Sequence, residues 1–391
     1  MAGSYIVAGA RTPIGKMSGA LASFSAADLG GLAIAAALER AGVAPTDVEH
    51  VIMGQVLMAG QGQVPSRQAA VKAGIPMSVP AVNVNKVCLS GLNAIYLADQ
   101  MIQAGDADIV VAGGMESMTN APYLANGARG GFRYGNTELK DAIIADGLWC
   151  AFDACLMGLG TERYAGGGIT RQQQDDLAMK SNQRAAAAAD KLAEEIVPVS
   201  IPQRKGDPVV VSRDEGVRAD TTMDTLGGLK PAFDKEGTIT AANASQISDG
   251  GSAVVVMSER AMKARGVTPL GQIVSYGMVA GPDSASLLTQ PSRAILKALD
   301  KVGMKVGDVN LFELNEAFAA VGIASMADLG IGDDIVNVNG GAIALGHPIG
   351  MSGNRLALTI LHELRRRGGG VGAAALCGGG GQGDALIVRT V

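Results

Sequence analysis

Aromatic side chains are scarce in this 391-residue chain: six Phe, six Tyr and one Trp, 3% in all. Base-stacking surfaces need such rings, and charge offers no substitute, because 32 Lys and Arg stand against 37 Asp and Glu for a net −5. A nucleic-acid surface is therefore not expected. Histidine occurs three times and cysteine four times, at Cys88, Cys150, Cys155 and Cys377. That is too few, and too scattered, for a disulfide framework; only Cys150 and Cys155 are close, and no metal-binding spacing appears. Long apolar runs are missing too. The longest charge-free stretch, Ile335 to Asn354, is interrupted by Asn, Gly, His and Pro, so no membrane association is expected. Ser4-Tyr5-Ile6-Val7 leads straight into Arg11-Thr12-Pro13 with no signal-peptide core, and Ile387 to Val391 carries no targeting tripeptide. A reducing cytoplasm is the expectation.

Glycine is what the chain has in excess. Its 55 residues are about 14% of the total, roughly twice ordinary usage. They fall at the ends of apolar runs, where strand-to-helix turns and close backbone approaches of a layered α/β protein would need them.

The chain repeats itself. Ile34 to Gly42 aligns with Ile295 to Gly303, Asp47-Val48 with Asp308-Val309, Val82 to Asn85 with Val336 to Asn339, and Ser90-Gly91 with Ser352-Gly353. Each copy reads as strand, helix, strand, strand, helix, strand, with Ile109 to Gly114 and Ala373 to Gly378 as buried strands and Val336 to Asn339 as a strand. The second copy passes from Cys377 and four glycines directly into Asp384 to Val388. The first reaches Gly114 and resumes only at Gly250-Gly251, so residues from roughly 115 to 249 read as an insertion. Within it, Arg171 to Asp190 reads as a surface helix and Ile201 to Asp220 as a charged loop or hairpin. Two βαββαβ halves packed face to face, plus this insertion, are expected.

Four sites could carry chemistry. Cys88, in Asn85-Lys86-Val87-Cys88-Leu89-Ser90-Gly91, falls between a strand and a helix, where unpaired N–H groups favour thiolate. Alone it reads more readily as a small buried hydrophobe, the usual fate of a free cysteine. Cys377 ends a strand before four glycines whose amides could serve as oxyanion donors; core packing is the plain alternative. By the repeat, both thiols lie at sheet termini and can meet at one site. His347 sits in a Gly/Pro loop that positions rather than packs it, whereas His50 and His362 read as surface residues. Asn315, in Asn315-Glu316-Ala317-Phe318-Ala319, reads as a helix N-cap or as an amide holding a water or substrate oxygen. A cysteine nucleophile, a histidine base, a second sulfur and glycine amides together suit acyl transfer.

These segments resemble the thiolase family: Asn85 to Gly91 its nucleophile motif, Asn315 to Ala319 and Gly346 to Gly353 its following blocks, and Cys377 to Gly383 its last. The likeness begins at Ala8 to Gly15 and reaches the final strand. It implies a five-layered αβαβα core of duplicated halves with an inserted α+β loop domain. The halves would be 1–119 with 250–268, and 269–391; the insertion, 120–249, would bind coenzyme A and form oligomers. It implies an acyltransferase that joins two acetyl-CoA reversibly into acetoacetyl-CoA and CoA, ping-pong, through S-acetyl-Cys88. His347 would help deprotonate Cys88, and Cys377 would take the α-proton of the second acetyl-CoA. His347 and a water on Asn315 would hold the enolate oxygen, and the amides of Cys88 and Gly379 the acyl-enzyme oxyanion. Ser245 would contact pantetheine, Arg218 the adenine side, and Leu148, Met157, Phe233 and Phe318 would form apolar walls. No metal or permanently bound cofactor is implied; coenzyme A thioesters are the substrates. A homotetramer is implied, with Tyr123 to Asp141 as the candidate tetramer loop. Departures from the family pattern fall at Leu156-Met157-Gly158, Tyr123 and Gln290-Pro291-Ser292, away from the four catalytic positions. The alternatives are a longer-chain 3-ketoacyl-CoA thiolase and a non-catalytic acyl-CoA-binding member of the fold.

Overall fold

The computed structural model describes residues 3–282 and 284–391. Nine strands build the central sheet: β1 (Ser4–Arg11), β2 (His50–Gly54), β3 (Ala81–Val84), β4 (Ile109–Ser117), β5 (Ser248–Ser258), β6 (Gly271–Ala280), β7 (Leu311–Leu314), β8 (Val371–Gly378) and β9 (Gln382–Arg389). Their order is β7-β8-β9-β6-β1-β5-β4-β2-β3, and the two-residue strand Gly15–Lys16 adds to β5. The order is a mirror. The run β1-β5-β4-β2 on one side answers β6-β9-β8-β7 on the other, with the same parallel and antiparallel senses. The seam between the halves is the short β1–β6 pairing at Tyr5–Gln272 and Ile6–Gly271.

Every residue of β4 and β5 is buried, and Ile109 to Met115 and Ala253 to Met257 are their apolar runs, as in strands covered on both faces. One cover is the Ala26–Ala41 helix with the Pro65–Lys72 helix, packed on β1, β2, β4 and β5 through Ile34, Val51, Val111 and Val255. Ser25 and Asp28 form a capping box at the start of the longer helix, and Gly42 closes it in the left-handed conformation. The middle layer is a helix pair, Ser90–Ala104 and Ser352–Arg366. Leu92, Ile95, Leu356 and Ile360 pack there between Val110 and Val254 of one half and Leu376 and Leu386 of the other. Gln290–Asp300 and Ala319–Leu329 flank the far face, around Phe312, Ala373 and Ile387. Helix, sheet, helix pair, sheet, helix is the five-layered arrangement.

The two middle helices meet at repeat-related glycines. A Cβ on Gly353 would lie 2.5 Å from Leu92 N, and one on Gly91 would lie 2.8 Å from Gly350 O. Side chains are excluded there, and the helix N-termini, with the loops that precede them, come together on the pseudo-twofold.

Two expectations are corrected. The Pro65–Lys72 helix separates β2 from β3, so each half is richer than strand, helix, strand, strand. Val336 to Asn339 does not form a strand; only Val336 bridges Phe312. Asn337 turns instead, at φ 45°, and its side chain takes over the ladder: Oδ1 accepts from Leu314 N and Nδ2 donates to Leu314 O.

β4 and β5 pair from Ile109–Met257 to Ser117–Asp249, so the chain between them leaves and returns at adjacent strand ends. That segment contains the Met157–Ala165 and Arg171–Ala187 helices and the Val199–Ile201/Val209–Val211 hairpin. Its anchor is Arg11, fully buried, which pairs with Glu195 at 2.7 Å and Asp214 at 2.6 Å. Among the described residues no helix is long and apolar enough to cross a membrane.

Candidate active site

Cys88 follows β3 through a tight turn. Val87 sits at φ 51°, an unusual conformation for a β-branched residue that costs on the order of 1–3 kcal/mol. Side chains enforce it. Asn85 Oδ1 accepts from Val87 N at 3.1 Å, Ser90 Oγ accepts from Lys86 N at 2.8 Å, and the Ser90 hydroxyl donates to Val87 O at 2.6 Å. Cys377 is the last but one residue of β8 and fully buried. His347 lies in the loop before the Ser352–Arg366 helix and is buried.

These three residues, 289 positions apart at the extreme, line one cavity of about 50 Å³ with Val87, Leu148, Met157, Ser245, Ala317, Phe318 and Gly379. Burial pushes the Cys88 thiol up to about 12, and the backbone amides of Cys88 and Gly379 pull the other way. Burial also raises Cys377, and the neighbouring Cys88 raises it further. Burial, and then the Arg355 cation, lower His347 to about 3. All three shifts favour the uncharged forms, two thiols and a neutral imidazole, with Cys88 the one member that is partly exposed.

The imidazole is oriented from both sides. Nδ1 lies 2.6 Å from Ser352 Oγ, whose hydroxyl donates to Pro348 O at 3.0 Å, and Nε2 lies 3.4 Å from Asn315 Nδ2. With Ser352 donating to Pro348, Nδ1–H donates to Ser352 and Nε2 is left as the acceptor facing Asn315. Asn315 caps no helix, since the following helix starts at Ala319 with Phe318 at its cap. It is fully buried behind His347, outside the cavity lining, and its Oδ1 has no partner.

An outer cavity of about 580 Å³ joins this one through Leu148, Ser245, Phe318, His347 and Ile349, and adds Phe233, Met17, Met118 and Leu156. Its size suits an organic ligand and its lining is predominantly apolar. Phe233 and Phe318 meet edge to face at 6.1 Å, and Gly158 makes room for the Phe233 ring. Ser245 Oγ donates to Ala317 O at 3.0 Å. Arg218 stands apart: it is exposed, belongs to neither lining, and its backbone N–H donates to Asn182. His50 and His362 are partly buried rather than exposed.

Sequence reading missed Glu116, Ser352 and Arg355. Glu116 is fully buried and accepts from Val56 N, Leu57 N and Gly350 N at 3.0–3.1 Å, tying the His347 loop to the half that carries Cys88. Burial pushes its carboxyl up to about 7 against those three donors. The signal was there: a lone carboxylate inside an apolar strand has to be hydrogen-bonded. Arg355 pairs with Glu313 at 2.7 Å, both buried. Nothing in the sequence pointed to Ser352 as the partner of His347.

A duplicated five-layered α/β fold whose halves bring two sulfurs and an imidazole to one buried cavity defines an acyl-transfer class of protein. The family models for the thiolase N-terminal and C-terminal domains match residues 4–260 and 267–390, and the chain belongs to the thiolase family. It is 56% identical to a probable acetyl-CoA acetyltransferase of Mycobacterium leprae over the whole of both chains. It is 54% identical to an acetyl-CoA acetyltransferase of Cupriavidus necator and 50% identical to one of Pseudomonas aeruginosa, over 98% of each chain.

Proposed function

We propose that this protein is an acetyl-CoA C-acetyltransferase that works reversibly and by ping-pong on coenzyme A thioesters. The observation that carries the reading is the shared lining of Cys88, His347 and Cys377 in a cavity of about 50 Å³, small beside the 580 Å³ chamber it opens from. The larger, apolar chamber suits the pantetheine arm, with Ser245, Leu148, Phe233 and Phe318 along it and Met157 at the acyl end. Arg218 would serve the adenine end, outside the chamber.

In the first half-reaction Cys88 gives its proton to His347 Nε2 as its sulfur bonds to the acetyl carbonyl carbon. The carbon–sulfur bond to CoA breaks, and the departing CoA sulfur takes the Cys377 proton. The tetrahedral oxyanion falls to the amides of Cys88 and Gly379, backbone donors that favour an anion at the Cys88 sulfur. In the second half-reaction the Cys377 thiolate takes the α-proton of a second acetyl-CoA. The enolate oxygen is held by the His347 Nε2–H and by a water on Asn315. The carbanion attacks the acetyl group, and the Cys88 sulfur leaves and recovers its proton from His347. Protons and bonds balance over the cycle.

A second copy of the chain is part of this reading. β3 is an edge strand with one neighbour, and Tyr123, Phe132, Tyr134 and Leu139 are exposed in the 123–141 segment. We place a homotetramer in the cytoplasm, with light scattering as its check.

Thiolysis of acetoacetyl-CoA against a medium-chain 3-ketoacyl-CoA tests the acyl-chain assignment. Faster turnover of acetoacetyl-CoA is expected. Faster turnover of the longer substrate would make this a longer-chain thiolase.

A further inference from the structure

Two of the four cysteines play no part in this chemistry, and the fold sets them face to face. Trp149–Cys150 and Cys155–Leu156 form a small antiparallel hairpin in which Cys150 is the direct partner of Cys155. Directly opposed residues in such a pair have Cα atoms about 4.5–5.5 Å apart, within the roughly 4.4–6.8 Å that a disulfide bridges. Opposed side chains also share a face, and both of these are turned inward, 3% and 5% exposed. Asp153, at the turn, lies beside Cys150, and Gly160 lies close to both Asp153 and Cys155. Asp153 Oδ2 lies 3.6 Å from Cys150 Sγ, and Oδ2 and Cys155 Sγ each lie 3.7 Å from the point a Gly160 Cβ would occupy. The Cys150 thiol donates to the Asp153 carboxylate and accepts from the Asp153 N–H at 3.4 Å, so the turn fixes the side chain's direction. Both cysteines are free thiols in the structure.

We propose that Cys150 and Cys155 are a dithiol pair that oxidises reversibly to a cross-strand disulfide by exchange with a low-molecular-weight disulfide. One cysteine thiolate attacks the small disulfide, forms a mixed disulfide and releases one small thiol. The second cysteine sulfur attacks the protein-side sulfur of that bond and releases the other. Two cysteines are oxidised, one small disulfide is reduced to two thiols, and the two cysteine protons leave on those thiols. Both thiols are buried, so exchange requires opening of the exposed turn, whose Phe152 is 79% exposed. The hairpin borders the acyl site: Leu148 precedes it, Met157 follows it, and Phe152 rests 3.3 Å from where a Gly380 Cβ would be, beside Gly379. The disulfide therefore braces one wall of the catalytic cavity while leaving Cys88 and Cys377 as they are.

Peptide mapping of the full chain tests this. After incubation with glutathione disulfide, denaturation and alkylation, trypsin cuts after Lys140 and Arg163 and leaves both cysteines on one peptide. The expected product is that peptide unalkylated and two hydrogens lighter, returning to doubly alkylated after dithiothreitol. In Cys155→Ser the peptide never loses two hydrogens. Full alkylation of the oxidised wild type, a glutathione adduct that persists on the pair, or loss of two hydrogens in Cys155→Ser would each overturn the assignment. A bridge between Cys88 and Cys377 would join two different peptides and cannot be mistaken for it.

Discussion

At the scale of single residues, burial biases Cys88, Cys377 and His347 toward their uncharged forms. A preformed thiolate–imidazolium pair would show the histidine's titration in the reactivity of the cysteine. Here burial pushes the Cys88 thiol up to about 12 and lowers His347 to about 3, shifts that both favour the neutral pair over an ion pair. The rate of Cys88 alkylation by iodoacetamide is therefore expected to climb steadily from pH 6 to pH 9, with no step near the ordinary histidine value. A plateau reached above a step near 6.5 would mean that an ion pair already exists at rest. Asn315 touches the chemistry only through His347 and whatever its unpartnered Oδ1 holds. Losing one oxyanion support typically costs about 10²–10³ in rate. Asn315→Ala is expected to lose that much of the condensation rate while Cys88 still acetylates; activity within twofold of wild type would remove Asn315 from the mechanism.

At the scale of elements, close packing of backbones positions the loops. Gly353 and Gly91 let two helix N-termini meet, and Glu116 fastens the His347 loop to the Cys88 half through Gly350. Gly353→Ala has to push Leu92 away and should cost about 1–3 kcal/mol, read as a lower urea midpoint. Gly307→Ala, with open space around it, should stay within about 0.5 kcal/mol. Equal effects would mean that the helix crossing is not where tolerance ends. Glu116→Gln replaces an acceptor with a donor facing backbone N–H groups, and kcat is expected to fall about tenfold, or ~1.4 kcal/mol, as the His347 loop loosens. An unchanged kcat in steady-state assays would show that Gly350 needs no such tie. Most strands and helices were legible because buried runs and their glycine stops are local signals; the Pro65–Lys72 helix was not. Nor was Asn337: its side chain does the work of a strand's backbone, and an Asn in an apolar run looks the same whether it pairs or turns. The Glu116 tie spans 234 positions and has no local signature beyond one charge in an apolar strand.

At the scale of the whole molecule, the duplication made the architecture legible. Repeat-related segments predict equivalent strands, and equivalent strands place Cys88 and Cys377 at corresponding ends of two half-sheets. Sequence could bring the sulfurs to one side of the molecule; only the helix crossing and the small cavity at their meeting point bring them together. The walls around the site, from the insertion, were legible only through family likeness, because Phe233 and Ser245 sit on irregular chain and Leu148 ends a single π-helical turn, none with a periodic pattern. The central claim is that two sulfurs in one cavity divide the work, one carrying the acyl group and the other moving the proton. Intact-protein mass spectrometry after incubation with acetyl-CoA, run on wild type, Cys88→Ala and Cys377→Ala, tests it most directly. An acetyl adduct is expected on wild type and on Cys377→Ala, mapped to Cys88 in both, and none on Cys88→Ala; an adduct carried by Cys377, or one that survives in Cys88→Ala, would contradict the account.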